Sequence, residues 1–151
     1  MAERKLSIRP FEPSDLAQVC SIETESFTDP WPKADFLQLR PPDHIFYVAC
    51  EDGRVVGYIV VRIEKRNIQH VAHLLNLAVV FCHRRRGIGA ALLESVENLL
   101  SAQRIERIEL EVRQRNQGAR SFYLCQGFKE EGVIPLYYSN EDAVIMRKRV
   151  D

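Results

Sequence analysis

Residues 84–89 read Arg-Arg-Arg-Gly-Ile-Gly and open a stretch of helical periodicity that runs to about Ala102. The first turn of a helix leaves backbone N–H groups without intrahelical partners, and the helix dipole adds partial positive charge there. Gly87 and Gly89 allow close backbone approach, while Arg84, Arg85 and Arg86 supply charge beside an incoming anion. The chemistry this suits is pyrophosphate binding. Taken alone, the segment also reads as a solvated turn whose glycines serve packing. A nucleoside-triphosphate loop is absent, since GxxxxGK[ST] does not occur. A dinucleotide fingerprint lacks its third glycine, because Gly87-Ile88-Gly89 continues into Ala90-Ala91-Leu92, although Glu109 or Glu111 could imitate its ribose-binding acid.

A second set of candidates lies on Arg107 to Arg113. As a strand, this segment places Ile108, Leu110 and Val112 on one face and Arg107, Glu109, Glu111 and Arg113 on the other. Parallel strands are usually apolar on both faces, so a charged face implies either a wet cleft or a solvated edge. Phe122 and Tyr123 fall on a short helix, where packing competes with a catalytic role for the phenol. His70 and His73 have HxxH spacing, but on a strand that spacing sends them to opposite faces, so no metal site is expected. The four cysteines, Cys20, Cys50, Cys82 and Cys125, form no CxxC pair, and reduced thiols of a cytoplasmic protein are the expectation.

The elements that must position these residues follow from periodicity. Lys5 to Phe11 alternates like a half-buried strand, and Pro13-Ser14-Asp15 starts a helix with an apolar stripe of Leu16, Val19, Cys20 and Phe27. Pro30 and Pro32 stop it, and a short helix from Lys33 to about Leu39 follows. Ile45 to Cys50 and Val55 to Ile63 form a hairpin about Asp52-Gly53. Val71 to Val80 is a strand, the next helix buries Ile88, Leu92, Val96 and Leu99, and Arg107 to Val112 returns as a strand. Gln117 to Gln126 is a helix ended by Gly127, before closing strands at Phe128 to Ile134 and Ala143 to Arg149. Residues 71–112 should form a right-handed parallel crossover. The fold class is α+β: a mixed, mostly antiparallel sheet with one parallel strand-helix-strand crossover and helices on both faces, in one domain spanning 1–151.

Composition agrees with that architecture. The 151 residues carry 21 Lys plus Arg against 21 Asp plus Glu, so there is no global field to attract nucleic acid or an anionic membrane. No apolar run approaches the roughly 20 residues of a membrane span, and the N-terminus lacks the apolar core of a secretion signal.

Arg84-Arg85-Arg86-Gly87-Ile88-Gly89 fits the Q/R-x-x-G-x-G/A loop of the GNAT superfamily of N-acetyltransferases, which the chain resembles. Leu74 to Val79, LEVRQRN from Leu110 to Asn116, and SFYLCQGF from Ser121 to Phe128 are most similar to its bacterial ribosomal-protein alanine N-acetyltransferase branch. Phe27 to Trp31 and Glu141 to Met146 resemble the same branch.

That resemblance implies acetyl-CoA as donor, bound where the strands ending at Val79 and near Val112 splay apart. It implies backbone contacts at Leu77, Ala78 and Val79, pyrophosphate contacts from Arg84, Arg85, Arg86, Gly87, Ile88, Gly89 and Ala90, and a far wall of Asn116 and Tyr123. It further implies Glu111 as general base, Tyr123 as general acid, and Trp31, Tyr137 and Tyr138 around the acceptor. His73 would stand where relatives carry a glutamate beside the base. The implied acceptor is a protein N-terminus, ribosomal in that branch; a small amine, a lysine side chain, or non-catalytic acyl-CoA binding would share the donor features. An α-amine, with a pKa near 8 against about 10.4 for lysine, needs the least help to deprotonate.

Overall fold

The computed structural model describes residues 5–150; Met1–Arg4 and Asp151, the ends of the expected 1–151 domain, lie outside the described residues. Seven strands form one sheet: β1 (Leu6–Pro10), β2 (His44–Glu51), β3 (Arg54–Arg66), β4 (Gln69–Val79), β5 (Arg107–Arg113), β6 (Lys129–Ile134) and β7 (Ala143–Arg149). They lie in the order β1-β2-β3-β4-β5-β7-β6, antiparallel throughout except for β4 and β5. Four helices accompany them: α1 (Leu16–Ser26), α2 (Lys33–Leu37), α3 (Ile88–Ala102) and α4 (Gln117–Cys125). The expected α+β architecture with a single parallel crossover is the one observed.

Local chemistry accounts for the turns. Asp52 and Gly53 both take left-handed dihedrals (φ 53° and 78°), the combination whose twist matches a two-residue hairpin. The β2–β3 hairpin therefore closes at Glu51↔Arg54. β3 runs three residues past the expected Ile63, through Glu64-Lys65-Arg66, because its backbone stays paired with β4 as far as Arg66↔Gln69.

Side-chain alternation on β2 and β3 feeds two cores, one on each face of the sheet. Ile59 and Val61 join Leu92, Leu93, Val96 and Ile108 beneath α3 and α4. Val48, Tyr58 and Val60 join Val19, Ile22 and Phe36 beneath α1 and α2. Two expected stripes shift. α3 buries Leu93 and Leu100 fully and Leu99 only in part, since a stripe wide enough to cover a sheet exceeds one residue per turn. α1 buries Ile22 and Glu23 in place of Cys20 and Phe27; Phe27 follows the last turn and is exposed.

α3 lies close to the sheet because position 57 has no side chain. A Cβ at Gly57 would sit 3.0 Å from the Ala78 carbonyl oxygen and 3.3 Å from Leu92 Cδ1.

The parallel pair is short. β4 and β5 share register only at Ala72↔Ile108 and His73↔Glu109, although β4 continues to Val79 and β5 to Arg113. Just past that point β4 bulges: Val60 faces Asn76 while Val61 faces Leu74, which leaves Leu75 as the extra residue. A bulge bends its strand and increases local twist, and here it turns β4 out of pairing with β5. The C-terminal halves of the two strands stand apart, each with one edge lacking a strand partner. Gly57→Ala, which overpacks the sheet under α3, is expected to cost about 1–3 kcal/mol in urea denaturation while leaving the far-ultraviolet spectrum unchanged.

Candidate active site

At the wide end of the β4–β5 opening, the loop from Arg84 to Gly87 leads into α3. Arg85 and Gly87 both have positive φ (63° and 79°), and Gly87 caps the helix from that conformation. The first helical hydrogen bond runs from Ala91 N to Gly87 O (2.9 Å), so the N–H groups of Ile88, Gly89 and Ala90 precede it. Ile88 buries its side chain in the core and offers the loop only its backbone. Gly89 serves packing as well: a Cβ there would lie 3.3 Å from Phe122 Cζ on α4.

The three arginines divide. Arg84 donates from Nε to the Val79 carbonyl (2.9 Å), lies over the Phe81 ring, and so ties the loop to the end of β4. Arg86 pairs with Glu51 at the end of β2 (3.1 Å). Arg85 alone of the three has no hydrogen bond or ion pair among the described residues. Two of the three expected anion-binding charges thus also brace the loop.

The charged face of β5 is partly buried, its carboxylates paired with side chains from the neighbouring strands. Leu110 and Val112 enter the core beneath α3 and α4, and Glu111 points from the opposite face. Its oxygens lie 2.9 and 3.0 Å from His73 Nε2, and Tyr137 donates its hydroxyl to Glu111 at 3.1 Å. Tyr137, which could have been a core residue, is half exposed. The His73 pKa is raised, chiefly by the hydrogen bond to Glu111, with a further contribution from Glu64 on its other nitrogen and with burial opposing.

Tyr123 approaches from the other side. Its ring packs edge-on against Phe122 and Phe128 in the core beneath α3 and α4. Burial pushes its pKa above the ordinary phenol range, and the nearby Tyr138 adds to the shift. Tyr138 is itself pushed up to about 12, by burial first and then by Tyr137 and Glu111. Packing and a role for the phenol, the two alternatives for Tyr123, are therefore compatible. Asn116 caps α4, its Oδ1 accepting from Ala119 N (3.1 Å).

Two loops flank the Glu111 face. The segment carrying Trp31 is anchored by Glu23, a carboxylate buried to 1% exposure. Glu23 accepts from the Trp31 backbone N–H (2.8 Å), from Asn76 Nδ2 (2.9 Å) and from the Tyr58 hydroxyl. Trp31 in turn packs on Phe36, with ring centroids 5.3 Å apart. The other loop joins β6 to β7, and there the Arg113 guanidinium covers the Tyr138 ring at 4.3 Å. Arg113 also reaches Glu141 (3.5 Å) and, across the groove, Asp29 (3.4 Å). Sequence reasoning missed Glu23, Glu64 and Arg113. Of these, only Arg113, on the charged face of β5, carried any signal.

The model of the acetyltransferase (GNAT) family matches residues 16–128 of the chain. The chain belongs to that family. It is an N-acetyltransferase whose acetyl donor is acetyl-CoA, and its mixed sheet with one splayed parallel pair is the family fold. It is 40% identical to an uncharacterized N-acetyltransferase of Methanocaldococcus jannaschii, over 94% of this chain and 90% of that one. It is 34% identical to an N-alpha-acetyltransferase of Sulfurisphaera tokodaii, over 95% and 92%. Among solved structures, the ribosomal-protein-S18-alanine N-acetyltransferase from Escherichia coli superposes with a TM-score of 0.86 at 26% identity, covering 97% of this chain and 95% of that one. No helix among the described residues is long and apolar enough to cross a membrane.

Glu23→Ala orphans donors from two strands and a loop. A loss of about 2–4 kcal/mol is expected in chemical denaturation. Because Trp31 is the sole tryptophan, its emission should also move to the red in the folded variant as the loop loosens.

Proposed function

We propose that this N-acetyltransferase acts on the N-terminal α-amine of a protein, with a ribosomal protein as the partner, and that Glu111 receives the amine proton while Tyr123 supplies a proton to the departing thiolate. The observation that carries this reading is the β4–β5 opening. Glu111 reaches it from one face of the sheet and Tyr123 from the other, with the α3 N-terminus at its wide end.

The residues present fit acetyl-CoA. The N–H groups of Ile88, Gly89 and Ala90, with Gly87 and the arginines at 84, 85 and 86, would take its pyrophosphate. The unpaired edge of β4 at Leu77, Ala78 and Val79 would take the pantetheine arm as an added strand. Asn116 Nδ2 and Tyr123 would form the opposite wall. Bound there, the thioester supplies the activated acetyl group.

The acid–base work then falls to the chain's own side chains. Glu111, held by His73 and Tyr137, can take a proton from an attacking amine directly or through water. Tyr123 is held as a neutral phenol by its burial and keeps a proton to give. Trp31 on one loop and Tyr137 and Tyr138 on the other would flank an acceptor amine approaching Glu111. The N-alpha-acetyltransferase relative and the ribosomal-protein-alanine neighbour support a protein terminus as acceptor.

Terminal-amine peptides, lysine peptides and diamines, each incubated with enzyme and acetyl-CoA and mapped by mass spectrometry, should carry acetyl only on the peptide N-terminus; transfer confined to diamines would overturn the assignment. Glu111→Gln and Tyr123→Phe are each expected to keep CoA-induced thermal stabilisation and to lower turnover at least tenfold.

A further inference from the structure

The ion pairs on the face of the sheet that carries Glu111 join into one line. Glu111 on β5 meets His73 on β4, His73 meets Glu64 on β3, and Glu64 is held by Arg62 (Nε to Oε2, 2.9 Å) and Arg66 (2.6 Å). Arg66 continues to Glu109, which Arg147 reaches from β7 at 3.0 Å. The two ring nitrogens of His73 are each 2.9 Å from a carboxylate oxygen, Nε2 from Glu111 and Nδ1 from Glu64. Arg62 also lies 3.2 Å from Nδ1, but it has the Glu64 oxygen as its own acceptor. An ionised carboxylate only accepts, so the imidazolium satisfies both contacts, and in the neutral ring a hydrogen kept toward Glu64 leaves Nε2 as the nitrogen that exchanges a proton with Glu111.

An imidazole with one N–H fixed by a carboxylate has its other nitrogen committed to giving and taking a proton. Resting on the reading of Glu111 as the group that faces the amine, we propose that Glu64 is a positioning residue of the proton-accepting apparatus, holding His73 so that its Nε2 takes up the proton that Glu111 receives. One proton leaves the amine nitrogen for Glu111, and one passes from Glu111 to Nε2. Nδ1 keeps its own hydrogen and donates it to Glu64 throughout. The imidazolium so formed lies between two carboxylates and releases its proton to water before the next turnover.

Glu64 is built to keep its charge during this cycle. Burial opposes ionisation, yet the hydrogen bonds from Arg62, Arg66 and His73 hold its pKa down at about 2. The groups facing the ring are then Glu111 from β5, Glu64 and Arg62 from β3, and Tyr137 by way of Glu111. Two carboxylates against one guanidinium favour the imidazolium, in agreement with the raised His73 pKa. The competent form, with Nε2 empty, is populated as pH rises through that value.

The test compares wild type with Glu64→Gln, reading kcat against pH with saturating terminal-amine peptide and acetyl-CoA, and the His73 ring titration by NMR. Loss of the carboxylate charge should move both the acid limb of kcat and the ring titration to lower pH by about one unit, since one adjacent opposite charge is worth about 1–3. The KM for acetyl-CoA should not change. A ring titration that moves while the acid limb stays overturns the relay, as does an unmoved titration. A second measurement needs no variant. Long-range ¹H–¹⁵N spectra of wild type above the His73 pKa should show the Nδ1–H tautomer, and the Nε2–H tautomer would overturn the proposal. That spectrum is independent of acceptor identity, so its failure is distinct from a failure of the peptide panel.

Discussion

β4 and β5 cannot stay together, and most of the molecule's usefulness is organised around that fact. Parallel strands ordinarily run side by side along their length, because an unpaired backbone edge inside a sheet leaves N–H and carbonyl groups to satisfy. Here the bulge at Leu75 bends β4 away after two shared positions. The strands do not drift further because each is clamped elsewhere: β4 along its whole length to β3, β5 along its whole length to β7. The core beneath α3 bridges the gap, with Leu74 from β4 and Leu110 from β5 in one cluster. The result is a preformed slot whose walls are two antiparallel strand pairs, β3–β4 and β5–β7.

The slot also connects the faces of the sheet. Groups on opposite faces are normally separated by the backbone layer, yet Tyr138, in the loop beside Glu111, adds to the raised pKa of Tyr123 on the α4 side. Burial among aromatic rings raises the proton affinity of the Tyr123 phenol.

Residues whose environment is set by their own strand or turn were readable before any coordinates. The alternation Ile108, Leu110, Val112 against Glu109 and Glu111 foretells a strand with one wet face, and Asp52-Gly53 foretells a two-residue turn. Residues whose environment comes from distant chain were not. Glu23 is a polar residue outside the apolar stripe of α1, and only Tyr58 and Asn76, arriving from two strands, satisfy its buried carboxyl oxygens. Glu64 lies beyond the apolar run that marks β3, in a stretch whose strand character is imposed by pairing with β4. The arginines at 84 and 86 illustrate a third case. Their charge was legible, while their partners, Val79 and Glu51, were not, since a side chain's reach across the fold leaves no trace in local spacing.

The bond from Arg86 to Glu51 gives the loop at residues 84–87 a foundation far from the slot. Glu51 is the last residue of β2 and adjoins the Asp52-Gly53 turn, so the hairpin that closes early in the chain also sets where the loop before α3 can stand. Backbone freedom at that turn is thereby transmitted to the mouth of the slot. In the proposed binding mode, the stiffness of the β2–β3 hairpin would reach the donor through Arg86 and Glu51, so sequence drift at that turn would adjust donor affinity from outside the slot.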